Sequence, residues 1–93
     1  MGELGRIEVL ARLKRYYMEF CSCEPGEARS TERWAVEELA RYIVEHSCED
    51  PYTLILKFSD LMDIYSLKNT ETSIYFSEAR EIALDFYDEI GGR

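Results

Sequence analysis

Four apolar stripes at helical spacing, each closed by a turn signal, constrain this chain most. Ile7, Leu10, Leu13, Tyr17 and Phe20 recur at intervals of three and four, which places them on one face of a helix running from about Glu3 to Phe20. The stretch from Cys21 to Glu27 breaks that pattern, and Pro25-Gly26 within it is a strong turn signal. A second helix should begin between Ala28 and Thr31, with Ser30 or Thr31 as its cap and Glu32 in its first turn. Val36, Leu39, Ala40 and Ile43 form its buried stripe, with Trp34 and Tyr42 on the flanks, and it runs out near His46-Ser47-Cys48.

Asp50-Pro51 opens the third helix as a cap followed by proline, at a position where the missing N–H has no cost. Leu54, Phe58, Leu61 and Tyr65 lie on one line, with Ile55 and Met62 beside it. Asn69-Thr70 interrupts, and Thr70 or Thr72 can cap a fourth helix. Tyr75, Ala79, Ile82, Phe86 and Ile90 then step by four, three, four and four before Gly91-Gly92 ends the helix. Short connections favour antiparallel neighbours. The expected fold is therefore all-α, a small antiparallel bundle of about four helices in a single domain over residues 1–93. The Ile74-Tyr75-Phe76 run is β-prone, so residues 73–76 admit a short extended segment.

Phe58 to Tyr65 and Phe76 to Asp85 together resemble segments of small helical proteins of unknown function in Firmicutes and their mobile elements. The resemblance is one of amphipathic pattern and implies a helical fold without naming an activity.

Charge narrows the function classes. Nineteen acids against eleven bases give a net charge of −8, which opposes direct binding to a phosphate backbone. No run of about twenty apolar residues is present, so no membrane span is expected. The N-terminus is charged with no apolar region behind it, so no secretory signal is expected. The three cysteines, Cys21, Cys23 and Cys48, make a poor disulfide framework and suit a reducing, cytoplasmic setting.

Catalytic signatures are missing. There is no glycine-rich phosphate loop, no nucleophile elbow and no Glu-x-x-His pair for a di-metal bundle. Cys21-x-Cys23 and His46-x-Cys48 offer four ligand types for zinc, or a redox centre. A second helix of about seventeen residues would hold those pairs about 25 Å apart, too far for one metal in a monomer. The expectation is no metal, no cofactor and no enzyme activity.

Glu78, Glu81, Asp85 and Asp88 fall on one line at spacings of three, four and three, away from the fourth helix's apolar line. Like charges at such spacings repel by a few tenths of a kcal/mol per pair, about 0.2–0.5. Seven tyrosines are the other bias, and Tyr16, Tyr52 and Tyr87 sit off the main stripes. Exposed tyrosine is characteristic of protein-binding surfaces. The candidate contact surface is therefore Glu78, Glu81, Asp85 and Asp88 with Tyr87. It suits a non-catalytic domain that binds another protein, with a basic surface as the natural complement. A narrower alternative is an acidic inhibitor that mimics phosphate in the site of a nucleic-acid-binding protein, as anti-CRISPR proteins do. An exposed aromatic patch would favour a homodimer.

Overall fold

The turn chemistry read from the sequence sets the helix ends. A computed structural model describes residues 4–21 and 30–92. Among them are four helices and no strand: α1 (Arg6–Cys21), α2 (Ser30–Glu45), α3 (Pro51–Lys68) and α4 (Ser73–Glu89). Asp50 caps α3 from an extended backbone, and its carboxylate accepts from the Thr53 N–H at 3.0 Å and the Thr53 hydroxyl at 3.3 Å. The opposite end of α4 closes in a Schellman motif. Gly92 N–H donates to the Tyr87 carbonyl at 2.9 Å, Gly91 N–H donates to the Asp88 carbonyl at 3.0 Å, and Gly91 takes φ +84°. A left-handed φ at that position favours glycine, which lacks a Cβ.

Thr72 occupies the cap position of α4, but its side chain makes no cap hydrogen bond. Ser73 to Phe76 are helical, so the extended segment does not form. Helix packing overrides the β-propensity of Ile74-Tyr75-Phe76: Phe76 sets its ring against Trp34 of α2 and Tyr65 of α3.

Sequential helices run antiparallel. Arg6 at the start of α1 reaches the Ser47 carbonyl just beyond α2, while Tyr17 near the end of α1 accepts from Arg33 at the start of α2. Tyr65 with Phe76 and Tyr52 with Tyr87 fix the same sense for α3 and α4. The core is shared by all four: Val9 and Leu13, then Ala35, Val36, Leu39 and Ile43, then Leu54, Ile55, Phe58 and Met62, and finally Ala79, Ile82, Ala83, Phe86 and Ile90.

Three details depart from the sequence reading. On α1 the buried pair is Val9 and Leu13, with Tyr16 half-buried against Phe86, whereas Ile7 is exposed. Two successive steps of three, Ile7 to Leu13, fall about 120° short of two full turns, so a chain of threes drifts off its own face. On α3 the buried arc is wider than one line and takes in Tyr52 and Ser59, because α2 covers one flank and α4 the other. Ser59 is satisfied there by donating to the Leu56 carbonyl at 2.8 Å. Tyr65 and Tyr75, placed on core lines from spacing, are exposed at the rim instead.

Candidate functional site

The inner side of α4 decides what its outer side can present. Ala79, Ile82, Ala83 and Phe86 are buried against the neighbouring helices. At 3.6 residues per turn the opposite side carries Ile74, Glu78, Glu81, Asp85 and Asp88 in a row. Glu81, Asp85 and Asp88 are exposed and Glu78 is half-buried. Neighbours at these spacings lie about 5–6 Å apart. The structure thus brings the four acids together on one face.

Arg80 approaches the Glu81 end of that face. The Arg80 guanidinium lies 3.7 Å from the Glu81 carboxylate and 3.9 Å from Asp63 of α3. Both distances are long and both pairs are exposed, so they neutralise little of the row. The position of the acids within the helix adds to their cost. Asp85, Asp88 and Glu89 lie toward the negative end of the helix dipole, and no basic residue occupies the last turn. Neither mutual repulsion nor the dipole favours this arrangement locally.

Tyr87 is placed elsewhere. It is about 100° or more around the helix from the acids. Its ring packs edge-on against Tyr52 at 6.1 Å between centroids, with the planes at 73°, and its face lies over Gly92. Tyr52 is buried, with only 7% exposure, and its hydroxyl donates to the Ile90 carbonyl and accepts from the Leu4 N–H. Tyr16 and Tyr87 are half-buried. The three tyrosines off the apolar lines are therefore packing residues. The sequence signal that could have shown this is the wide apolar arc of α3, visible once Ile55 and Met62 are counted with Leu54 and Phe58.

The cysteine and histidine pairs resolve only in part. Cys23 and the Cys21 side chain lie outside the described residues. His46 stacks on Tyr42 at 4.3 Å, and its Nδ1 donates to the Tyr42 carbonyl at 2.9 Å. A carbonyl only accepts, so the proton sits on Nδ1. Cys48 is an exposed free thiol. Among the described residues no group of three or more His, Cys, Asp or Glu side chains is placed to hold a metal ion.

A second charged feature lies between α1 and the end of α4. Arg12, Arg15 and Tyr16 of α1 and Glu89 of α4 line an open cavity of about 210 Å³. No described helix is long and apolar enough to cross a membrane.

Comparison with protein families, with curated proteins and with solved structures finds no match.

Proposed function

We propose that this chain is a non-catalytic helical domain that binds a basic protein through the outer face of α4. The observation that supports the reading is a row of four acids, Glu78, Glu81, Asp85 and Asp88, on the side opposite the α4 core, with Asp85 and Asp88 toward the negative end of its dipole. Local energetics disfavour such a row, so a partner of opposite charge gives a reason for it. Complementary charge acts mainly on the rate of association. Net charge −8 keeps free nucleic acid away, and a nucleic-acid-binding protein whose basic site accepts the carboxylates as phosphate mimics is the narrower form of the same proposal. An exposed free thiol at Cys48 suits a reducing cytoplasm.

The test compares wild type with Glu81→Lys/Asp85→Lys as bait in cell extract at low and high salt. A partner retained by wild type at low salt, released at high salt and not retained by the variant supports the reading. Equal retention by both baits overturns it. Competition of the captured partner by added nucleic acid selects the phosphate-mimic form.

A further inference from the structure

Among the described residues the three most exposed large apolar side chains are Ile7 at 79%, Leu67 at 76% and Ile74 at 65%. They fall on two surfaces. Ile7 begins the outward line of α1, which continues through Ala11, Lys14 and Met18 at spacings of four, three and four, all exposed. Arg15 stands beside Lys14, and among the described residues neither enters an ion pair. The drift of the α1 apolar pattern leaves this second, basic and apolar stripe facing outward. Ile74 begins the outward line of α4, which continues through Glu78, Glu81 and Asp85 at the same spacings of four, three and four. Leu67 stands across the 69–72 turn from it.

The two stripes share the same spacings. Ile7 to Lys14 and Ile74 to Glu81 are both steps of seven, or about two turns. Laid parallel with Ile7 against Ile74, Lys14 falls against Glu81, with Ala11 against Glu78 and Met18 against Asp85. Laid antiparallel with Met18 against Ile74, Lys14 falls against Glu78, so either sense pairs one cation with the row and one exposed apolar side chain with Ile74. The complement to α4's acidic and apolar face is thus present in the chain itself. Within one molecule Arg15 already shares a cavity with Glu89 of α4, whereas Lys14 and the row Glu81 and Asp85 are exposed.

We infer that α1 of one copy docks on the outer face of α4 of a second copy. The inference rests on α4's acidic row being a contact surface, and it names a partner for that surface. The contact is head-to-tail, using different patches on the two copies. It covers exposed apolar side chains and sets Lys14 against the acidic row. The net charge of −8 on each copy repels at long range, and salt screens that repulsion over a Debye length of about 10 Å at 0.1 M while contact pairs are screened less. Association is therefore strongest at intermediate ionic strength.

Sedimentation equilibrium on the full chain tests this with two charge-reversed variants, Lys14→Glu/Arg15→Glu and Glu81→Lys/Asp85→Lys. All four positions are exposed, and circular dichroism checks that both variants fold. Wild type should rise above its monomer mass of 10.9 kDa as concentration increases. Each variant alone should stay at monomer mass, and an equimolar mixture should recover association, because the reversed α1 meets the reversed α4. A wild type that stays monomeric, variants that associate like wild type, or a mixture that stays monomeric each overturns the inference. The α1 variant keeps the acidic row intact, so its capture of a foreign basic protein should equal that of wild type. Capture without self-association therefore sinks this inference alone, whereas undiminished capture by the α4 variant sinks the proposed function.

Discussion

The Tyr52 hydroxyl donates to the carbonyl of Ile90 at 2.9 Å, joining the first turn of α3 to the residue that closes α4. The same oxygen accepts from the Leu4 N–H at 3.2 Å, so one buried phenol ties together three chain segments far apart in sequence. Tyr52→Phe should leave a buried carbonyl without its donor, at a cost of about 1–3 kcal/mol. Tyr52→Ala also removes the ring from the core and should cost about 3–5 kcal/mol. Urea denaturation of the two variants separates hydroxyl from ring. A Tyr52→Phe midpoint equal to wild type would show that the hydroxyl has no structural role.

The α4 terminus makes a second, coupled prediction. A Cβ on Gly92 would fall 2.6 Å from the Tyr87 ring, which cannot stay against Tyr52 unless something shifts. Gly92→Ala should destabilise, and its cost should fall when Tyr87 is already alanine. A double-mutant cycle should therefore show a coupling energy of about 0.5–3 kcal/mol. Gly91→Ala meets open space but must hold φ +84°, so it should cost about 1–2 kcal/mol whether or not Tyr87 is present. Additive behaviour at Gly92 would contradict the ring contact.

Helix number and order were legible because the turn chemistry is explicit: Asp50-Pro51 and Gly91-Gly92 act in the structure as their residue types suggest. The β-prone residues 73–76 were harder, since only the Trp34–Phe76–Tyr65 cluster shows why they are helical. Tyr52 and Tyr87 could not be assigned from periodicity. Their burial depends on two helix ends meeting in space. The acidic row was legible in full, because opposite sides of a helix follow from spacing alone. The outward stripe of α1 is not legible from spacing, because Ile7 stands three residues before Leu10 and six before Leu13 and so shares the intervals of the core side.

The Glu49–Lys57 pair gives a prediction in pH. Lys57 Nζ hydrogen-bonds a Glu49 carboxylate oxygen at 2.7 Å. That hydrogen bond holds the Glu49 carboxyl below its ordinary value, with the Lys57 and His46 charges adding to it. The same bond raises the Lys57 ammonium. A depressed carboxyl contributes stability above its unfolded-state value and loses it as pH falls through the folded-state value. A raised ammonium contributes below its unfolded-state value and loses it as pH rises through the folded-state value. The pair therefore acts across the neutral range and fades at both extremes. Both groups are exposed, so the effect on stability is small. Proton-carbon NMR titration should show the Glu49 carboxyl moving up toward the ordinary range in Lys57→Ala. An unchanged titration would mean that the pair does not persist in solution.

The acidic row should reveal a trade between stability and binding at a single residue. Asp85 lies four residues after Glu81, three before Asp88 and four before Glu89, so it takes part in three like-charge pairs. Asp85→Lys turns all three into opposite-charge pairs, with Glu81 preceding the lysine in the favourable order. It also places a cation near the negative end of the α4 dipole. Each pair is worth about 0.2–0.5 kcal/mol, so the variant should be more stable than wild type at low salt, and the gain should shrink as salt screens it. Asp85→Asn removes the charge without adding one and should gain less. The same Asp85→Lys change should weaken capture of a basic partner. Thermal melts at two salt concentrations, run beside the capture assay, read both sides. A variant that is stabilised and captures as well as wild type would leave the row with no function that offsets its local cost. A variant that is destabilised would show that Asp85 has a structural role that its exposed position does not suggest.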